Sequence, residues 1–345
     1  MDYRIEFKVQ FLRKVFKVRT FEAFYISSCQ RHIPRLHGLP VTPGDARHKA
    51  HGVFVALNAS YDANGELNTE KLKELALWYH SLGVKGLYVC GSTGEGMLLT
   101  AEERKASVKA VCEAVGGKLV ILCHVGAPST RQAVELAKHA ESCGVDAVSA
   151  VPCVFYIHSE DAIANHWNTI TEAVDLPFFI YNIPQLTGYN LSRGLFERML
   201  QNEKIAGIKN SNEVAHQIMQ FKALGGENFI VLNGPDEQYL AGRLMGADGG
   251  IGGTYGPMPE LYMKLEEYIC AGEIEKARRL QEKILFFIYR LCSFPSMYGA
   301  NKAIIKLRSG IDIGQPRLPF LPVSSEDPKV VELKNDIEKA IAALD

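Results

Sequence analysis

The chain has 345 residues, of which 47% are hydrophobic and 22% are charged, a composition typical of a folded globular protein and not of a disordered one. Its 38 Lys/Arg nearly balance its 39 Asp/Glu, and this net charge of −1 argues against binding to nucleic acid or to an anionic membrane surface. No run of about eighteen apolar residues predicts a membrane-spanning helix. We therefore expect a soluble protein with a single core, and its scattered cysteines are typical of reduced thiols in a cytoplasmic protein.

The first fifty residues differ from the rest in charge. They hold ten Lys/Arg and four Asp/Glu, and aromatic residues alternate with basic ones between Tyr3 and Tyr25. Pro and Gly residues then crowd together between Pro34 and Gly44, as in a linker. We predict a basic extension over residues 1–48 that is disordered or a wrongly assigned start, with organelle targeting as the alternative.

Eight short apolar runs come next along the chain, and longer amphipathic stretches separate them. The predicted strands are 52–57, 86–90, 118–124, 146–151, 177–182, 205–209, 228–233 and 249–254. The predicted helices between them are 69–82, 101–115, 130–143, 159–174, 192–201, 213–224 and 237–245. Strict alternation predicts a parallel sheet, and eight repeats in about two hundred residues favour a closed (β/α)8 TIM barrel over residues 49–270.

A doubly wound open sheet is the alternative, but it would need a GxGxxG turn where Asn58, Ala59, Ser60 and Tyr61 stand. Four further helical stretches exceed what a barrel needs, at 259–269, 273–291, 301–307 and 328–344. They predict a C-terminal helical segment over residues 271–345 that serves as a cap or an oligomerisation element. The eight cysteines contain no CxxC pair, so the sequence predicts no zinc site.

The second predicted strand runs into Gly91-Ser92-Thr93-Gly94-Glu95-Gly96. Consecutive backbone N–H groups and two hydroxyls, close to the start of a helix, form a nest for a carboxylate or a phosphate. The motif lacks the lysine of a P-loop, which argues against a nucleotide. A tight glycine turn without a ligand is the alternative.

The fifth and sixth predicted strands carry Tyr181 and Lys209 at their ends. A lysine is costly to bury, and desolvation favours the neutral amine that attacks a carbonyl to form a Schiff base. A lysine that reaches out to solvent and a tyrosine satisfied in the core are the alternatives. In a barrel these strands are neighbours, so an amine, a phenol and an anion nest would share one mouth. Together they are the parts needed for chemistry on a 2-keto acid.

These motifs together resemble the N-acetylneuraminate lyase / dihydrodipicolinate synthase family of pyruvate-dependent class I aldolases, over His51 to about Asp345. The matching segments are Gly-Ser-Thr-Gly-Glu at 91–95, Tyr-Asn-Ile-Pro at 181–184, Gly-Ile-Lys at 207–209 and Gly-Gly-Ile-Gly-Gly-Thr-Tyr at 249–255. The resemblance implies that Lys209 forms the Schiff base with pyruvate and that Tyr181 shuttles protons. It implies that Ser92 and Thr93 hold the pyruvate carboxylate.

The resemblance also implies a homotetramer, with Tyr156 at the active-site mouth near a subunit interface. It implies that neither a metal nor an organic cofactor is needed, because the lysine amine is the electron sink. Gly234-Pro235-Asp236-Glu237 comes after the seventh predicted strand. The carboxylates of Asp236 and Glu237 either bind hydroxyls of a polyol or simply cap a helix.

Three features resemble the lyase branch of the family. Leu186 stands where the synthases carry an arginine, and Ser211 keeps a hydroxyl two residues beyond the lysine. The stretch from Gly234 to Glu237 resembles the lyase segment whose acids contact sugar hydroxyls. Gly253 departs from that branch, because the lyases often have a serine there.

The resemblance thus implies a lyase that cleaves N-acetylneuraminate, a sialic acid, to N-acetylmannosamine and pyruvate. A related aldolase acting on another 2-keto-3-deoxy sugar acid is the first alternative. A 4-hydroxy-tetrahydrodipicolinate synthase comes next, and a non-catalytic barrel that binds keto acids comes last.

Overall fold

The computed structural model describes residues 50–152 and 154–344. The predicted extension over residues 1–48 lies outside this part of the chain. Among the described helices, none combines the length and the apolar character needed to cross a membrane.

Eight parallel strands close into a barrel in sequence order, and the first strand pairs with the last. This arrangement confirms the predicted (β/α)8 barrel and excludes the open doubly wound sheet. The strands are β1 (Gly52–Ala56), β2 (Gly86–Val89), β3 (Val120–His124), β4 (Ala147–Ala150), β5 (Phe178–Asn182), β6 (Ile205–Asn210), β7 (Ile230–Asn233) and β8 (Gly249–Gly252).

Helices connect successive strands, and four of them come after the barrel. In chain order they are α1 (Thr69–Leu82), α2 (Ala101–Val115), α3 (Thr130–Ser142), α4 (Glu160–Glu172), α5 (Pro184–Thr187), α6 (Arg193–Met199), α7 (His216–Gly225), α8 (Tyr239–Leu244), α9 (Pro259–Cys270), α10 (Ile274–Cys292), α11 (Met297–Ser309) and α12 (Pro328–Ala342). A 3-10 turn (Asp236–Gln238) precedes α8.

The barrel interior is filled by side chains from alternate strand positions. Phe54 and Phe179 are fully buried there. At Gly207 a Cβ atom would collide with the Phe179 ring, so this glycine makes room for an interior aromatic side chain. A second and larger apolar layer lies between the strands and the surrounding helices. The interior is therefore solid below the mouth, and a ligand can enter only where the strands end.

Candidate active site

The two residues expected to carry the chemistry lie side by side at the mouth of the barrel. Tyr181 on β5 and Lys209 on β6 are register partners. The Lys209 ammonium donates a hydrogen bond of 3.1 Å to the Tyr181 hydroxyl. Parallel pairing of adjacent strands thus brings together two groups that are far apart in the sequence.

Lys209 is only 4% exposed. Its Nζ atom lies 4.3 Å from the ring centres of both Tyr88 and Tyr181. Within residues 50–152 and 154–344 no carboxylate forms an ion pair with it. The faces of aromatic rings stabilise an ammonium less strongly than a neighbouring carboxylate does. The amine of Lys209 therefore stays available for attack on a carbonyl.

Two aromatic residues of this site escaped prediction from the sequence. Tyr88 lies inside β2 and donates to Ser149 Oγ at 3.1 Å. His124 ends β3, and its ring packs edge-on against that of Tyr181, with centroids 5.7 Å apart. Each occupies an inward-facing position at or near the end of a strand. That position in the sequence is the feature from which they could have been predicted as site residues. They form the wall behind the amine and the phenol.

His124 is held as a neutral ring. Burial lowers its pKa well below the usual range, and the positive charge of Arg104 acts in the same direction. Nε2 accepts from Val151 N–H at 3.4 Å, which leaves the hydrogen on Nδ1 for the Cys90 carbonyl at 3.2 Å. Both ring nitrogens are thus used, and His124 supports Tyr181 without contributing a charge.

The Gly91–Gly96 loop faces this pair. Ser92 Oγ lies 3.5 Å from the Tyr181 hydroxyl. In the part of the chain that the structure describes, the backbone N–H groups of Ser92 and Thr93 donate no hydrogen bond. Left-handed backbone at Cys90 (φ 59°) and Glu95 (φ 53°) curls the loop. The loop therefore offers N–H and hydroxyl donors next to the amine, as an anion nest does.

Ser211 is buried directly beyond β6, where its N–H donates 2.7 Å to the Asn182 carbonyl. A Cβ atom at Gly234 would collide with Ser211 Oγ, so the glycine is required for the β7 loop to approach this hydroxyl. The two predicted residues are thus in contact with each other. Tyr156 is 67% exposed on the loop after β4, and Leu186 is 64% exposed on α5.

The two predicted acids differ in surroundings. Asp236 is buried, and its Oδ2 accepts from the Thr254 N–H at 2.7 Å and from the Thr254 hydroxyl at 2.5 Å. Glu237 is exposed. Asp236 therefore fixes the loop after β8, and one of its oxygens is already occupied. Glu237 is the acid whose oxygens are open to a ligand.

Gly253 lies on that same loop. A Cβ atom there would stand 2.8 Å from Thr93 Oγ1, so a side chain at this position would displace the Thr93 hydroxyl. The glycine thus has a packing reason, namely the close approach of the β8 loop to the Gly91–Gly96 loop.

Burial raises the pKa of Asp236 to about 7, although its hydrogen bonds with Thr254 oppose this. Between about pH 4 and pH 7 the unfolded chain ionises this carboxyl while the folded protein keeps the proton. The free energy of unfolding should therefore fall as pH rises, by up to about 1.4 kcal/mol per pH unit. Asp236→Asn is expected to remove this part of the slope, as measured by urea unfolding at pH 5, 6 and 7.

Glu172→Gln is the matched control, because it neutralises an exposed carboxylate at the end of α4. It should leave the slope as in the unmodified protein, whereas Glu237→Gln would not, since the charge of Glu237 itself helps to raise the pKa of Asp236. An Asp236→Asn slope equal to that of Glu172→Gln would contradict the assignment of the buried proton.

Comparisons with known proteins identify the family of the chain. The model of the dihydrodipicolinate synthetase family matches residues 49–340. An N-acetylneuraminate lyase of Mediterraneibacter gnavus is 42% identical over 286 residues, covering 82% of this chain and 91% of the relative. An N-acetylneuraminate lyase of Rhizobium meliloti is 34% identical over 280 residues, covering 81% of this chain and 92% of the relative.

Solved structures agree as well. The wild-type sialic acid aldolase of Ruminococcus gnavus superposes with a TM-score of 0.84 at 41% identity, covering 86% of this chain and 99% of that one. Since the family model spans most of the sequence and a relative above 40% identity covers four fifths of it, the chain belongs to the dihydrodipicolinate synthetase family.

Proposed function

We propose that the protein is a class I aldolase that cleaves N-acetylneuraminate to N-acetylmannosamine and pyruvate through a Schiff base on Lys209. The observation that carries this proposal is the buried amine of Lys209, 3.1 Å from the Tyr181 hydroxyl. It lies beside the loop in which the N–H groups of Ser92 and Thr93 have no partner among the described residues. A carboxylate on that loop would place the adjacent ketone carbon within reach of the amine.

In the first step the neutral Lys209 amine attacks the C2 ketone of the open-chain sugar acid. Loss of water from the resulting carbinolamine gives an iminium, whose positive nitrogen is the electron sink for cleavage of the C3–C4 bond. Ser92 and Thr93 donate to the substrate carboxylate during this step. Neither a metal nor an organic cofactor takes part in the proposed reaction.

In the second step Tyr181 takes the proton of the C4 hydroxyl and passes its own phenolic proton to the substrate carboxylate as the C3–C4 bond breaks. The C4 oxygen becomes the aldehyde of N-acetylmannosamine, and the bonding electrons pass into an enamine between C3 and the lysine nitrogen. Protonation of C3 and hydrolysis of the imine release pyruvate and the free amine.

The names of the relatives support the choice of substrate. Two relatives at 42% and 34% identity are N-acetylneuraminate lyases, and a sialic acid aldolase has the same fold. A synthase that binds a second carboxylate with an arginine is disfavoured, because the exposed apolar side chain of Leu186 stands at that position.

Another 2-keto-3-deoxy sugar acid is the second candidate substrate. It is favoured by two features on the sugar side of the site. One oxygen of Asp236 is committed to Thr254, and Gly253 presents no side chain to a glycerol tail.

The test is pyruvate release from N-acetylneuraminate, measured by a coupled lactate dehydrogenase assay. We expect release at a rate well above a boiled control. If borohydride in the presence of pyruvate modifies Lys209 but N-acetylneuraminate yields no pyruvate, the chemistry stands and the second candidate takes its place. If neither reaction occurs, the proposed aldolase chemistry is wrong.

We also propose that the protein is a cytoplasmic homotetramer. Phe155, Tyr156 and Ile157 are consecutive, and they are 88%, 67% and 96% exposed. Three adjacent apolar side chains on one loop at the mouth are costly to leave in water and support a subunit contact there. Light scattering of the purified protein tests the number of subunits.

A further inference from the structure

The Gly91–Gly96 loop contains a buried carboxylate that the proposed reaction does not use. Glu95 is fully buried within the loop that carries Ser92 and Thr93. Its Oε2 accepts from the backbone N–H of Arg317 at 2.8 Å and from the Tyr61 hydroxyl at 3.4 Å. A buried carboxylate in a donor loop for another carboxylate needs a physical explanation, because like charges repel in a site of low polarity.

Lys302 supplies the opposite charge. Its Nζ lies 2.8 Å from Glu95 Oε1, and the side chains are 1% and 0% exposed. The same ammonium lies 4.3 Å from the centre of the Tyr61 ring. The Arg317 guanidinium lies 4.6 Å from the centre of that ring. Glu95, Lys302, Tyr61 and Arg317 form what we call the Glu95 cluster. Within the pair the charges cancel, so no net negative charge is left beneath the donor loop.

Asn301, the residue before Lys302, contacts the loop after β8. Asn301 is buried on α11 and donates from Nδ2 to the Gly253 carbonyl at 3.1 Å. Gly253 is the position at which a Cβ atom would press on Thr93 Oγ1. Two consecutive side chains of α11 therefore hold the Gly91–Gly96 loop and the β8 loop in contact.

We propose that Lys302 is a positioning residue for substrate carboxylate binding, which acts by neutralising the charge of Glu95 within the loop that carries Ser92 and Thr93. The inference rests on the proposed function, since it assigns the anion nest to the carboxylate of a 2-keto acid. It adds to that function a specific requirement for the C-terminal segment. Lys302 itself touches neither the substrate nor the reacting atoms.

The test measures how borohydride trapping of pyruvate on the enzyme depends on pyruvate concentration. Lys302→Met leaves an uncancelled negative charge in the loop, so half-saturation should move to about tenfold higher pyruvate. Glu95→Gln leaves the lysine charge instead and keeps an acceptor for Arg317 N–H, so half-saturation should stay the same or fall. A purely structural role would weaken both variants alike, and that result would overturn the inference.

Lys222→Met is the matched control, because Lys222 forms a 2.8 Å ion pair with the buried Asp248 next to the start of β8, at the other end of the barrel. It should leave half-saturation within about twofold of the unmodified protein.

If Lys302→Met does not fold, the double variant Glu95→Gln/Lys302→Met decides the question, since it removes both charges. Half-saturation within about threefold of the unmodified protein supports the inference, and a shift of tenfold or more overturns it.

The unmodified protein separates the two proposals. If borohydride and pyruvate leave it unlabelled, the proposed function fails. If it is labelled and the single variants shift half-saturation in the same direction, only the role of Lys302 fails.

Discussion

Replacing Lys209 by alanine is expected to lower pyruvate release from the sugar acid by at least about a thousandfold. The amine is the nucleophile that attacks the C2 ketone in the proposed reaction, and the buried methyl group that replaces it cannot form the iminium that accepts the electrons of the breaking C3–C4 bond. The variant should also lose borohydride labelling by pyruvate altogether. Both quantities can be measured on one preparation, by the coupled assay and by intact-protein mass spectrometry.

Lys204→Ala is a matched control from the residue just before the same strand. Lys204 lies at the opposite end of β6, where its ammonium donates to the carbonyls of Thr171 and Val174 at 3.1 and 2.7 Å. Its loss removes a partly buried lysine with its hydrogen bonds but leaves the mouth untouched, so labelling should be retained. Labelling of Lys209→Ala at the same rate would assign the Schiff base to another lysine.

Tyr181→Phe is expected to reduce kcat by about 10²–10⁴-fold, the range for loss of a general acid–base group. The ring remains, so its contacts with Lys209 and His124 are kept, while the hydroxyl that accepts from the Lys209 ammonium is gone. Borohydride labelling by pyruvate should still reach completion on longer incubation, because the amine is intact. The separation of labelling from turnover distinguishes loss of a proton shuttle from loss of the site.

Tyr239→Phe provides the comparison for removal of a buried phenol. Tyr239 is buried in the apolar layer between the strands and the helices, where it donates to Glu266 at 2.7 Å, and Glu266 keeps its ion pair with Arg243. It should retain kcat within about threefold. A Tyr181→Phe variant with kcat equal to that of Tyr239→Phe would rule out Tyr181 as the base.

Much of the fold is encoded locally and could be predicted. The helices at 69–82 and 101–115 begin at the predicted residues because Asn68 and Thr100 cap them, Thr100 in a capping box with Glu103. The helix predicted at 301–307 instead begins at Met297, since Ser296 accepts from Gly299 N–H. The cap was present in the sequence but preceded a glycine, which breaks the helical pattern.

The helix predicted over 237–245 is divided. Asp236–Gln238 form a 3-10 turn, and an α-helix begins only at Tyr239. The reason is tertiary, because the Asp236 carboxylate is held by Thr254, on a loop that no local pattern connects with it. The same contact explains why an acid expected to bind sugar hydroxyls has one oxygen turned to the protein.

The reactive pair could be predicted because strand order places β5 beside β6. The supporting groups could not. Glu95 and Arg317 are 222 residues apart in the sequence, and neither has a pattern that indicates the other. The sequence gives no indication that Glu95 is buried, because a glutamate among small residues is typical of an exposed loop.

The pairing of Glu95 with Lys302 has a consequence for the order in which the molecule is made. Translation delivers Glu95 from the ribosome long before α11, so the emerging barrel strands at first hold a carboxylate without its counter-ion. That carboxylate must stay hydrated or protonated until Lys302 and the Arg317 N–H arrive. The Gly91–Gly96 loop therefore reaches its final structure only after α11, the next-to-last helix, and Arg317 have been synthesised.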